Sequence, residues 1–299
     1  MSDTNTGYSW LYQGHSQQGA RHKQQQDPCQ DAYRIEKTDD IIAMCISDGH
    51  GDKKHNYSDR GAKFAVEVTS KILQEAIQSM VEHPDRPKYH EDIFQNTLPQ
   101  RIAWEWNTLC KKDIHQENAQ GNIHCDGAWT EDIVAYGATI LGVAMNSEWL
   151  IAYQLGDGDI AMVYDNDVQY VFEEDPDMMS TFTHSLCQVC HASYAKIRCI
   201  RLHKTPNMIV LSSDGIRDSL QGDRDKYSQL ITWLYKKIST DSERTFLEKI
   251  PDWLDTISAT GNGDDISLVF AIRTKISENP MEIQQIASES SPTQEEEWE

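Results

Sequence analysis

An α+β fold with mostly antiparallel sheet is predicted by three features of this 299-residue sequence. Short apolar runs of strand length follow one another in groups. Longer stretches with helical periodicity come in neighbouring pairs. The regular strand–helix alternation of a doubly wound parallel fold is absent.

Tyr8–Tyr12 and Ala32–Glu36 read as short strands around a polar, Gln-rich loop. Ile41–Ile46 is a continuous apolar run that stops at Ser47-Asp48-Gly49-His50-Gly51. A helix fits Ser58–Met80, because Ala62, Ala65, Val66, Thr69, Ile72, Leu73, Ala76 and Ile77 recur at three- and four-residue steps. Asn56 or Ser58 suits its cap. Pro84, Pro87 and Pro99 are expected to interrupt the next stretch of chain, leaving a second helix over Gln100–Glu117 and a loop over 118–131. Ala135–Met145, Trp149–Leu155 and Ile160–Tyr164 read as consecutive strands, split by Asn146-Ser147 and by Gly156-Asp157-Gly158-Asp159. After an acidic turn at Glu173–Asp177, residues 178–195 show no period. Ile197–Leu202 and Met208–Leu211 are strands, and helices fit 226–239 and 242–257 with a break at Pro251. Ile266–Ile272 is a last strand. Residues 278–299 hold seven Glu and no Lys or Arg, a composition expected to remain a solvated, disordered tail. The expected organisation is one domain over 1–275 and a tail over 276–299.

Charge excludes some functions. The chain carries 48 Asp and Glu against 27 Lys and Arg, a net −21. That balance argues against binding nucleic acid or an anionic membrane surface. No apolar run is long enough to cross a bilayer, and the polar start shows no secretory signal. Seven Cys, an odd number without tight periodicity, read as reduced thiols, so a cytoplasmic location is expected. Cys187-Gln188-Val189-Cys190-His191 has haem-attachment spacing but reads as structural or incidental, since such proteins mature outside the cytoplasm. Trp104, Trp106, Tyr153 and Trp233 are expected as core or packing residues rather than ligand platforms, and His55, His115 and His124 at the surface or in loops.

The acids fall in an informative pattern. Asp48, Asp157 and Asp214 each follow an apolar run and precede Gly; Asp264 stands between Gly263 and the last strand, and Asp31 precedes an early one. Any single Asp-Gly reads as a turn, as Asp126-Gly127 does. Several together allow another reading. If these strand ends share one edge, their carboxylates would repel unless hard divalent cations held them, and all-oxygen donors suit Mg²⁺ or Mn²⁺.

Taken in order, Ser47-Asp48-Gly49-His50-Gly51, Gly137-Ala138-Thr139, Gly156-Asp157-Gly158-Asp159, Ser213-Asp214-Gly215 and Gly263-Asp264-Asp265-Ile266-Ser267 resemble the metal-dependent protein phosphatases, the PPM or protein phosphatase 2C family. Cys29-Gln30-Asp31-Ala32 and Ser58-Asp59-Arg60-Gly61-Ala62 look like its bacterial branch. The resemblance covers about residues 8–273 and implies two packed, mainly antiparallel sheets flanked by helix pairs, an αββα sandwich. It implies that Asp48 bridges two metals, that the Gly49 carbonyl binds one, and that Asp214 and Asp264 complete the other. Asp31 would support the first metal directly or through water. Asp157, with Asp214, matches a weaker third ion. His50 lies where the family has its general acid, and a hydroxide between the metals would attack phosphorus without a covalent phosphoenzyme.

Two departures bear on the site. Gln30 replaces a frequent Glu, and Asp265 replaces a frequent Asn, adding a negative charge. The phosphate-gripping residue is Arg21 or His22: His22 fits the bacterial spacing, whereas Arg21 offers the better fork. The expected function is a Mg²⁺- or Mn²⁺-dependent protein serine/threonine phosphatase. Its implied partners are a phosphorylated Ser/Thr protein and a cognate Ser/Thr kinase system, with no nucleic acid and no membrane. The alternative is a catalytically silent phosphatase-like module that binds a partner or regulates one.

Overall fold

Ten strands pair into two five-stranded antiparallel sheets in the computed structural model, which describes residues 8–38, 40–82, 87–119, 129–165, 167–173, 183–188, 191–239 and 246–275. The strands are β1 (Tyr8–Gln17), β2 (Ala32–Thr38), β3 (Ile41–Ser47), β4 (Ile140–Met145), β5 (Trp149–Leu155), β6 (Asp159–Tyr164), β7 (Asp167–Tyr170), β8 (Lys196–Arg201), β9 (Met208–Ser212) and β10 (Ile266–Lys275). One sheet has the order β2-β3-β4-β5-β8, the other β1-β10-β9-β6-β7.

The continuous apolar runs are explained by burial on both faces. Ile209 and Leu211 of β9 face the other sheet, together with Met44, Ile46, Leu141, Val143 and Val269. Met208 and Val210 point the opposite way, towards Tyr227, Ile231, Leu234 and Leu254. Those four come from α7 (Arg224–Ser239) and α8 (Ile250–Thr260), which cover the β9 sheet. The β3 sheet is covered by α2 (Ser58–Glu82) and α3 (Pro87–Ala119), through Ile72, Leu73, Ile77, Ile102 and Trp106. Layer order is therefore helix pair, sheet, sheet, helix pair, as expected for the αββα sandwich.

Several expectations need correction. The Gln-rich loop contains α1 (Ala20–Gln25), a short helix with no buried residue and hence no apolar period to detect. α3 runs through Pro99, because Leu98, Ile102, Trp106, Cys110 and Ile114 are buried along it and outweigh a local break costing about 3 kcal/mol. Trp104 is 68% exposed while Trp106 is fully buried; two residues apart on a helix, they cannot share a face. Trp233 is also partly exposed, whereas Tyr153 is buried. The strand expected over 135–145 begins only at Ile140, following α4 (Trp129–Val134) and an irregular stretch that bridges Gly49 through Ala138. Two further short helices are α5 (His191–Tyr194) and α6 (Asp214–Ser219). Pro251 lies in the first turn of α8 and marks its start, where a missing N–H is harmless.

Cys45 and Cys110 are buried, and Cys29, Cys187 and Cys199 are half-buried free thiols. Cys125, Cys190, His124 and the tail over 276–299 lie outside the described residues. Among the described residues, no helix is long and apolar enough to cross a membrane.

Candidate active site

Antiparallel registration brings the acids to one edge of the sandwich. Ser47 pairs with Ala32, which puts Asp48 and Asp31 at the same end of the β2–β3 ladder. Ser212 pairs with Leu268 on one side and Asp159 on the other, which brings in Asp214, Asp264 and Asp157. Between the two sheets at this edge lies a polar cleft of about 350 Å³. Its lining includes Asp48, Gly49, His50, Asp157, Asp214 and Asp264, together with Arg21, His22, Gln30 and Asp265. Of the expected site residues only Asp31 is absent from the lining; it is buried close to Asp48 and raises that carboxyl's pKa.

The loop after β3 is held by its backbone. Asp48 N–H donates to Thr139 Oγ1 at 3.0 Å. Thr139 N–H returns a bond to the Asp48 carbonyl at 2.8 Å, and His50 N–H donates to the Gly137 carbonyl at 3.0 Å. On the other side, Gly49 N–H donates to the Gln30 carbonyl at 3.2 Å. Gly156, at φ +117°, turns β5 into the Asp157 loop in a conformation that favours glycine.

The carboxylates are held in an unfavourable charge state. Burial, then Asp31, Asp214 and Asp157, push the Asp48 carboxyl well above the usual range. Burial followed by Asp157 and Asp218 raises Asp214 to about 8. Burial followed by Asp265 raises Asp31 to about 7, although Ser213 opposes this by donating to Oδ2 at 2.9 Å. Among the described residues, Asp31 Oδ1 and Gln30 Oε1 are buried oxygens without a hydrogen-bond partner. Crowded carboxylates and orphaned oxygens fit hard divalent cations. Among the described residues, no three His, Cys, Asp or Glu side chains stand close enough together to hold a metal ion by themselves. An open cleft of this kind suits Mg²⁺, which keeps several waters and takes few carboxylates.

The basic candidates differ in their surroundings. Arg21 Nη2 lies 2.7 Å from Asp264 Oδ2, and its side chain is 56% exposed. His22 Nδ1 lies 2.9 Å from Asp265 Oδ1; the His22 side chain is half-buried and that of Asp265 is buried. Asp265 also accepts the backbone N–H groups of Gly19 and Gln30, each at 2.6 Å. Burial pushes the Asp265 carboxyl up, but the His22 contact and these two bonds outweigh it and hold the group low. So the extra charge fastens the loop over residues 19–30 to the start of β10, while still raising Asp31.

His50 is half-buried; burial and then His55 lower its pKa to about 4, so the imidazole is neutral near pH 7. His55, expected at the surface or in a loop, lies in the segment between β3 and α2 but is only 6% exposed. Two more residues at the cleft had no sequence signal. Thr183, in the stretch without periodicity, donates to Asp157 Oδ2 at 2.6 Å. Arg217 of α6 donates to the Asp157 carbonyl at 3.0 Å and so steadies that turn from behind.

Solved structures share the architecture. A bacterial serine phosphatase superposes with a TM-score of 0.56 at 14% identity, over 88% of this chain and 98% of its own. The serine/threonine phosphatase Stp1 from Staphylococcus aureus gives 0.56 at 14%, over 88% and 95%. The Mycobacterium tuberculosis serine/threonine phosphatase PstP/Ppp gives 0.50 at 13%, over 88% and 98%. Likeness at these identities speaks to fold alone. No curated protein matches the chain in sequence. The family model described as Protein phosphatase 2C matches residues 18–255, and the chain belongs to that family.

Proposed function

We propose that this chain is a metal-dependent protein serine/threonine phosphatase that passes the phosphoryl group directly to water. The supporting observation is the gathering of Asp48, Asp157, Asp214, Asp264 and His50 on one cleft, with Asp31 buried within electrostatic reach. We assign two divalent ions, Mg²⁺ or Mn²⁺, to Asp48, the Gly49 carbonyl, Asp214 and Asp264, with Asp31 in support directly or through water. Asp157 is assigned to a weaker third ion. When bound, such ions supply Lewis acidity at phosphoryl oxygens and make water more acidic.

The chain's own side chains do the remaining work. Arg21 reaches the cleft with an exposed guanidinium that can turn two donors towards a phosphate. His22 is engaged with Asp265, so Arg21 is the residue we assign to phosphate and His22 the one that braces the loop. An arriving phosphate dianion favours the protonated form of His50, which then gives its proton to the departing Ser or Thr oxygen. Among the described residues no Ser or Cys lines the cleft. The hydroxyls of Thr139 and Thr183 are committed to the Asp48 N–H and to Asp157. That favours transfer to water over a phosphorylated hydroxyl or thiol side chain. The substrate is then a phosphorylated Ser/Thr protein, with a Ser/Thr kinase system as its counterpart, and residues 1–275 act as one catalytic domain.

One observation favours the silent-module reading: Arg21 already pairs with Asp264, a proposed metal ligand. A single assay separates the two. Phosphate release from a phosphothreonine peptide with Mn²⁺, lost with chelator, is expected for the enzyme. Intact folding without metal binding or turnover would favour the module.

A further inference from the structure

We propose that His55 is a positioning residue that holds the His50 imidazole in place for proton donation. This assignment rests on the phosphatase activity and the His50 role proposed above. The two rings lie 4.8 Å apart between centroids, tilted by 54°. His55 is almost wholly buried, and its ring is held by a hydrogen bond: Nδ1 donates to the Val134 carbonyl. Because a carbonyl only accepts, Nδ1 carries the proton, which sets the ring's orientation as well as its place.

Both imidazoles rest on the same backbone surface. A Cβ built at Gly137 would stand 2.5 Å from His55 Nδ1 and 2.9 Å from His50 Cδ2, so only a hydrogen at this position lets both rings seat. The Gly137 carbonyl also takes the His50 N–H at 3.0 Å, and the His55 N–H closes onto the Asp52 carbonyl at 2.8 Å. His50 is thus fixed at its backbone by residue 137 and at its ring by His55. Lost packing on one side of a half-buried imidazole frees its rotamers, and a proton donor out of line by about 1 Å can lose about 10²-fold in rate. An apolar residue could fill the same volume, but it would leave the Val134 carbonyl with the Gly137 N–H at 3.1 Å as its partner and would lose the bond that orients the ring.

Leaving-group dependence tests this. A general acid matters for a Ser or Thr alkoxide and little for 4-nitrophenolate, which leaves without help. The variants are His50→Ala, His55→Asn, Gly137→Ala and the His50/His55 pair. His55→Asn is chosen because its amide can keep the bond to Val134 while removing the ring. The readout is the ratio of kcat on 4-nitrophenyl phosphate to kcat on a phosphothreonine peptide, with Mn²⁺ saturating and thermal melts confirming folding. His55→Asn is expected to raise that ratio by about 10-fold or more, Gly137→Ala in the same direction, and the double variant no further than His50→Ala alone. An unchanged ratio in folded His55→Asn, or effects of the two His variants that multiply, would overturn the positioning role. A wild type inactive on both substrates would instead sink the phosphatase reading. An unchanged ratio in His50→Ala, with an active wild type, would remove the acid role and this proposal with it.

Discussion

The Ser213 hydroxyl donates to Asp31 Oδ2 at 2.9 Å, joining the end of one sheet to the start of a strand in the other. Ser213 Oγ in turn accepts the Ser267 N–H at 2.9 Å, so three strand ends meet at one hydroxyl. That bond favours the ionised form of Asp31 while burial and neighbouring acids oppose it. Ser213→Ala is therefore expected to weaken Mn²⁺ binding about 10-fold, as loss of an outer-shell partner to a metal ligand generally does. Calorimetric titration of the folded variant checks this; unchanged affinity would mean that Asp31 is oriented by other groups.

Crowded carboxylates also set the stability of the metal-free protein. Asp31 rises to about 7 and Asp214 to about 8 in the fold, from an ordinary 3.8. Between these values the folded state binds more protons than the unfolded chain, so stability falls as pH rises from about 4 to about 8. In chelator, these two acids should make Tm lower at pH 8 than at pH 5.5. Asp48→Asn removes a charge from the same cluster and is expected to stabilise the chelated protein by about 1–4 kcal/mol. A chelated Asp48→Asn protein that melts below wild type would contradict this electrostatic account.

Arg21 and His22 should separate cleanly. Arg21→Ala is expected to raise KM for a phosphopeptide about 10-fold or more, with stability changed by less than about 1 kcal/mol, since its ion pair is exposed. His22→Ala should lower Tm instead, and the charged His22 that Asp265 favours is lost as pH rises above the ordinary 6.5. Measuring KM and Tm on both variants decides which residue grips phosphate. The opposite pattern would reverse the assignment.

Asp265 carries more of the local structure than its place beside Asp264 suggests. It holds two backbone N–H groups and His22 from a buried position. Asp265→Ala is expected to cost about 2–4 kcal/mol, because each bond to a buried charge is worth more than a neutral one. Greater proteolysis within residues 19–30 is the second readout. A variant as stable as wild type would show that the loop is held by other contacts.

Asp48, Asp157, Asp214 and Asp264 were legible because each ends or begins a buried apolar run beside Gly, whereas Asp31, with no Gly beside it, showed only as the residue before β2. The bond linking Ser213 to Asp31 was not, because it joins residues 182 positions apart in sequence. α1 had no apolar face to detect, and Pro99 gave a local signal that the buried face of α3 overrode. Asp265 read as one more charge at the site; its partners Gly19, His22 and Gln30 are local only in space. Thr183 lies where the sequence shows no period, and only its bond to Asp157 marks it.

Asp48 and its neighbours, on this reading, hold divalent ions for phosphate hydrolysis. Calorimetric titration of Mn²⁺ into the chelator-stripped full chain tests it most directly, with wild type and Asp48→Asn side by side. At least two ions are expected per wild-type chain, with binding lost or weakened by about 10²-fold in the folded variant, since Asp48 is assigned to both. Mn²⁺ binding equally well to both proteins, or to neither, would contradict it.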